Sequence, residues 1–462
     1  MIQMLNRDNL RAVLGFSCIF AFTFVFVLEP ALILQLTEFT NLTRWNFYFL
    51  IMPAHGLGLI LSATLYKKTK GSFQMLRWGP LLILVSLTLF LFSHLFFHIL
   101  GLMLISFISG LMVAMAGLYI RTFVNRENRL LLSALPLMFT HIIYGIVRLV
   151  AIYTSVQIGL IVIILAIVFG SHLIVSIGTT LNTDSKPTIQ SIAPIMTLFV
   201  FIVILTLNTT LFTHFVYQSN LISTSLTLII NVVIYTFVMF LVYRLMGITN
   251  FNGYLYIPIA LLTLCTLVFS FLESFFAGPY IINFFIIVAT SLFDIAWFAL
   301  LSEVIEETFS PLRTFGLGIL ARVIGKITGN VLAQTMVVLH LASSQITILL
   351  LIVIVLNLFL LPSLRYQLSL VLKDNGFVNI FAKMNPKEQD HIISTQPYYE
   401  LLTEREKEIL QLLLAGKSNK DIGNTLFIGE STVKSHVSNI FGKFQVNSRA
   451  EIISILLGSK ND

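Results

Sequence analysis

Charge is what this sequence has least of. Asp, Glu, Lys and Arg make up 11% of its 462 residues, where soluble domains carry about a quarter, and that deficit excludes an ordinary soluble globular chain. Cysteine is nearly absent: Cys18 and Cys265 each lie inside an apolar run, so neither a disulfide framework nor a cysteine metal site follows. There is no P-loop, no His/Glu pair at metal-binding spacing and no nucleophile elbow. The chain reads as a non-enzyme without metal or cofactor. Its net charge of +7 also avoids the end where nucleic acid would need it. Residues 1–366 hold 17 Lys/Arg and 10 Asp/Glu, whereas residues 367–462 hold 11 of each. The partner of that basic excess is the anionic leaflet of a lipid bilayer.

What is abundant is apolar: 57% of residues, 40 of them Phe, with a mean hydropathy of +0.93. Crossing about 30 Å of hydrocarbon takes roughly 20 helical residues. Runs of that kind stand near 12–36, 45–66, 76–93, 97–120, 130–153, 156–180, 191–216, 221–243, 253–272, 278–302, 314–338 and 345–365. The sequence therefore predicts an all-α polytopic bundle of about twelve spans. The first run follows Arg7 and Arg11 and lacks a small-residue cleavage site, so it reads as an uncleaved helix. Basic residues fix the orientation. With the N-terminus inside, the inner segments carry Arg7, Arg11, Lys67, Lys68, Lys70, Arg77, Arg121, Arg126, Arg129, Lys186, Arg244 and Arg313, and the outer loops carry Arg44. Both termini are then cytoplasmic, in a multi-pass protein of the bacterial inner membrane.

The longest inner connection, LNTDSKPTIQ, lies near the middle of the twelve runs. A six-plus-six arrangement about it, with the basic KKTKGS loop after the second span, resembles the major facilitator architecture. That resemblance implies two six-helix halves around a midplane cavity. The superfamily's Gly- and Asp-containing loop signature is not recognisable here.

Ionisable residues inside spans cost about 3 kcal/mol each on insertion scales and mark candidate sites. They are Glu29, Arg148, Asp294, Arg322 and Lys326. At 1.5 Å per residue, Asp294 and Arg322 each lie about 12 Å from the inner face, and Glu29 and Arg148 lie at similar depths from the outer face, so each pair can meet. Two readings stay open. The charges are structural ion pairs, or Arg322 and Lys326, one turn apart, hold an anionic small molecule beside Gly325 and Gly329. His55, His141 and Tyr144 read as hydrogen-bonded packing residues.

From Gln367 to Pro397 the composition is mixed, and residues 367–396 read as a linker with one short amphipathic helix. After Tyr398 the pattern is that of small soluble helices. Thr403 and Glu406 form a capping box ahead of Ile409, Leu410 and Leu413, with Gly416 as the stop. Ser418 caps a second helix with Ile422 and Leu426. In a third, Val433, Val437, Ile440, Phe441 and Phe444 form one face and Thr432, Ser435, Ser438, Asn439 and Lys443 the other, flanked by Lys434 and His436. Ser448 and Glu451 open a fourth.

The stretches LTEREKEIL, GKSNKDIG, STVKSH and VNSRAE closely resemble the LuxR/FixJ-type (GerE-like) helix-turn-helix family over about 60 residues. The resemblance implies that the third helix enters the major groove and the fourth supplies a homodimer contact on DNA. Lys434 and Ser435 fall where the family contacts DNA, with Lys420 and Thr432 on phosphates and Ser438 and Asn439 on the same face. Gly429 replaces a frequent Ser cap, at a cost of a few tenths of a kcal/mol, and Ser438 replaces a frequent basic residue. The receiver domain that usually accompanies this module is missing. The expectation is a membrane sensor (1–366), a linker (367–396) and a DNA-binding domain (397–462): a one-component transcription regulator that binds a small molecule in the membrane and DNA outside it. The alternatives are a transporter with a regulatory tail, or a tail that only binds proteins.

Overall fold

The structure is a computed structural model that describes residues 7–28, 32, 47–65, 69–92, 94–123, 129–177, 193–218, 225–245, 256–272, 278–306, 311–383, 391, 393–394, 398–415, 417, 419–446 and 452. Among them there is no strand, as hydrocarbon requires of segments that must satisfy their own backbone. Two compact units result, Met1–Ser363 and Leu364–Asp462.

Among the described residues the long helices of the first unit are α1 (Arg7–Leu28), α2 (Met52–Leu65), α3 (Thr69–Leu87), α4 (Leu95–Tyr119), α5 (Arg129–Tyr153), α6 (Val156–Val175), α7 (Ala193–Gln218), α8 (Ser225–Leu245), α9 (Tyr256–Leu272), α10 (Gly278–Glu306), α11 (Pro311–Val338) and the first part of α12 (Ser343–Lys383), which runs on past Ser363. Nine of the described helices contain a stretch long and apolar enough to cross a bilayer; three shorter apolar ones, at α2, α8 and α9, fill the remaining expected positions. A π-helical turn, Phe24–Leu28, ends α1 and another, Phe47–Ile51, leads into α2, which the apolar pattern does not announce.

The packing repeats with a period of six helices. In the first half α1 lies on α5 and α2 on α4; in the second, α7 lies on α11 and α8 on α10. The seams between halves are α2 with α11 and α5 with α8, which the same repeat exchanges. Close approach within halves uses glycine. A Cβ on Gly58 would fall on the Phe107 carbonyl, and one on Gly110 would fall on that of His55. Gly325 and Gly329 let α11 press on α7, where a Cβ would sit 2.6 Å from Val203 O and 2.8 Å from Thr210 Cβ. With hydrocarbon on all sides, dispersion contacts of this density are what hold helices together. An aromatic cluster bridges the halves. Phe16 meets Tyr119 at 5.1 Å, and Phe20 meets Phe298 and Phe315 at 6.1 and 6.2 Å.

Beyond position 366 the structure differs from the expected linker: α12 continues as helix to Lys383. The apolar sequence YQLSLVL after Arg365 sustains the helical pattern, and Pro362 is accommodated inside it.

The second unit contains α13 (Glu404–Leu414), α14 (Asn419–Leu426) and α15 (Glu430–Phe444). Its core joins Ile409, Leu410, Leu413 and Leu414 of α13 to Ile422 of α14 and Val433, Val437, Ile440 and Phe444 of α15. α15 stops at Gln445, which takes a left-handed conformation at φ 55°. Gly416, Ser418 and the capping box at Ser448 lie outside the described residues; Ile452 is buried in the core.

Candidate nucleic-acid interface and intramembrane polar cluster

On α15 the residues divide by face. Val433, Val437, Ile440 and Phe444 are buried, while Thr432, Lys434, Ser435, Ser438 and Asn439 are exposed. An exposed row of hydroxyl, amide and ammonium groups on a helix suits phosphates and base edges. Lys434 Nζ rests 3.1 Å from Glu430 Oε1 one turn back, and Ser435 Oγ donates to Ser431 O at 3.2 Å. Both contacts are exposed and are exchanged for others at little cost. Gly429 is the N-cap and supplies no side-chain acceptor.

Lys443, placed on the polar face of the third helix, turns toward α13 instead. Its Nζ lies 2.6 Å from Glu406 Oε2 on α13, and Glu406 is 4% exposed. The same carboxylate oxygen accepts from Thr403 N at 2.8 Å and Thr403 Oγ1 at 2.9 Å, while Glu406 N donates back to Thr403 Oγ1 at 3.3 Å. One carboxylate thus closes the capping box and anchors the end of α15. Burial pulls the Glu406 carboxyl upward, but hydrogen bonds from Lys443 and Thr403 and the Lys443 charge outweigh it, leaving the pKa below the ordinary value of 4.5. Arg405 Nη2 donates to Leu426 O at 2.6 Å, fixing α13 against the end of α14.

In the membrane unit, Asp294 and Arg322 meet. Arg322 Nη1 lies 2.7 Å from Asp294 Oδ1, with the side chains 14% and 1% exposed. Asp294 also accepts from Tyr235 Oη at 2.8 Å and Trp297 Nε1 at 3.1 Å, and the Arg322 guanidinium lies 5.3 Å from the Trp297 ring centroid. Tyr235 in turn stacks on His141 at 3.4 Å across the seam from α5, and His141 Nδ1 donates to Leu137 O at 2.9 Å. A carboxylate with three donors and a guanidinium with a carboxylate and an aromatic face form a buried pair held from three helices, α8, α10 and α11. Arg322 is therefore engaged by Asp294, and an anion would have to exchange with that carboxylate.

Lys326 lies one turn beyond Arg322, half-buried. Arg148 is half-buried on α5, its Nε buried without a hydrogen bond. Glu29 and the side chain of Lys420 lie outside the described residues. Sequence reasoning missed Tyr235 and Trp297. Trp297 carried a signal, since it follows Asp294 by three positions on one helical face; Tyr235 carried none.

The first unit has a major-facilitator-type helical fold, and the second unit holds a domain of the LuxR type. Residues 400–456 match the family model described as bacterial regulatory proteins, luxR family. Over 87 residues the chain is 45% identical to the uncharacterized transcriptional regulatory protein YhcZ of Bacillus subtilis, covering 19% of this chain and 37% of that protein. It is 53% identical over 53 residues to the transcriptional regulatory protein DegU of Brevibacillus brevis, 12% and 22% of the two chains. The chain thus spans between about a fifth and two fifths of the length of these curated relatives. The membrane unit is similar to a bacterial homologue of the iron transporter ferroportin in an outward-facing state (TM-score 0.56, 14% identity, 79% of this chain and 100% of that one). It is also similar to the human organic anion transporter MFSD10 (TM-score 0.58, 14% identity, 77% and 99%). At these identities the likeness is one of fold.

Proposed function

We propose that the protein is a membrane-embedded one-component transcription regulator, with residues 1–366 as sensor, 367–396 as connection and 397–462 as DNA reader acting as a homodimer. One observation carries the reading: the same chain holds a transporter-type fold and a LuxR-type domain whose recognition helix keeps its polar face open. The ligand is a small molecule bound among the spans. An anionic one would compete with Asp294 for Arg322, with Glu29, Arg148 and Lys326 as further candidate contacts. Coupling requires that the ligand favour one packing of the two halves over the other.

The test is capture of genomic DNA on the full chain, crosslinked in cells, with Lys434→Ala as control. Discrete promoter sites are expected for the wild type. Loss of the Lys434 contact removes about 1–3 kcal/mol, so recovery of those sites falls about five- to 150-fold. Equal recovery by both proteins would reject Lys434 as a reader, and recovery of no site would reject the DNA role.

Orientation has its own test. A reporter active only outside the cell is expected to be active when fused after Ser343 and silent after Ser185; the reverse would overturn the N-inside assignment.

The fold similarity to transporters favours a second reading, a transporter with a regulatory tail. Solute accumulation by membrane vesicles, lost in Asp294→Asn, would select it.

A further inference from the structure

α12 is one helix of 41 residues, of which Ser343–Leu364 is the apolar span and residues 365–383 run on for about 28 Å beyond it. Its two faces differ. Leu350, Ile354 and Leu361 are buried, whereas Ile352, Val355 and Phe359 on the opposite side are 50%, 60% and 82% exposed. Within a bilayer, lipid suffices to cover them. Beyond it there is no lipid, yet the apolar row continues in the sequence. Alternating steps of four and three lead from Phe359 through Tyr366 and Leu370 to Phe377 and Ile380, with Ser363 and Lys373 at the two remaining places. Three heptads of that spacing are the pattern by which helices pack along one another. The continuation also asks for support, because Asn375, Gly376 and Asn379 are poor helix formers and a lone helix of this length is marginal in water.

We propose that α12 pairs with α12 of a second copy of this chain, as a parallel two-stranded coiled coil that starts on the exposed face at Ile352 and ends at Ile380. Symmetry selects this partner. Two copies inserted the same way round in one bilayer carry their α12 helices parallel and in register, so each apolar place meets its own counterpart across a twofold axis. No other partner is guaranteed a matching row. A lone polar residue in such a row, here Lys373, fixes the register at a cost in stability. The inference deepens the homodimer of the regulatory reading by naming where the copies meet, and tethering two second units together raises their effective concentration on DNA. The contact itself requires no DNA.

The experiment replaces the buried Cys18 and Cys265 by Ala in the full chain, adds single cysteines along α12, and oxidises host membranes holding two differently tagged copies. Linked dimers carrying both tags are expected for Phe359→Cys, Leu370→Cys and Phe377→Cys, and not for Leu358→Cys, Val371→Cys and Val378→Cys, which lie off the row. Leu370→Asp sets two like charges against each other and should cut the linked fraction at Phe359→Cys about tenfold. Should that variant fail to fold, the pattern across the six cysteines still decides. Equal linking on and off the row, the mark of chance collision, or no linking at Leu370→Cys and Phe377→Cys would overturn the pairing. Patterned linking by a chain that captures no DNA would uphold it while the DNA role falls.

Discussion

Asp294→Ala is expected to destabilise the membrane unit by about 3–5 kcal/mol, the cost of removing one member of a buried ion pair. The change leaves the Arg322 guanidinium, 14% exposed, without its counter-charge. It also strips the acceptor from Tyr235 and Trp297, both buried in the same cluster. The measurement is thermal unfolding of the full chain in detergent. Pairing the change with Arg322→Met should recover most of the loss, because two apolar side chains of fitting volume can replace such a pair at little or no cost. A single variant that melts with the wild type would show that the pair contributes nothing to the fold. Failure of the double variant to recover would locate the loss in the Tyr235 and Trp297 bonds.

The second large effect is expected at Glu406. Its carboxylate serves Thr403, the start of α13 and Lys443 near the end of α15, so Glu406→Ala removes a helix cap of about 1 kcal/mol and leaves a half-buried ammonium unpaired. The combined loss is about 3 kcal/mol. It should appear as weaker hydrogen-exchange protection of the α13 and α15 amides in the full chain, with the membrane helices unchanged. The pH dependence follows from the depressed pKa. A carboxyl held below its unfolded value contributes stability that is present above about pH 4.5 and is lost as pH falls through the folded value. Pulse proteolysis of the second unit in urea should therefore show the wild type losing stability below that pH, with the loss attenuated in Glu406→Gln. An equally steep acid loss in Glu406→Gln would assign it to other carboxylates.

How much was legible depended on which physics a residue obeyed. Long apolar runs bounded by basic loops report the bilayer directly, and the described helices α1 to α12 fall on them, α12 running on past its own. Asp294 and Arg322 could be matched by depth alone, because a helix advances a fixed distance per residue. The faces of α15 followed from its period, except at Lys443. That side chain stands on the polar side of a helical wheel, but a wheel has no knowledge of the buried carboxylate on α13. Tyr235 was equally hidden, since its contacts depend on which helices meet across the seam. The run of helix through α12 to Lys383 overrode the mixed composition after Gln367 that read as a linker.

The glycine contacts carry a genetic consequence. Gly58 and Gly110 sit at the crossing of α2 and α4, each where a methyl group would land on the carbonyl of the opposite helix. Any missense change at a glycine codon adds at least that methyl, so at these two positions no conservative allele exists. A deep mutational scan should find them depleted for Ala and Ser as severely as for Asp.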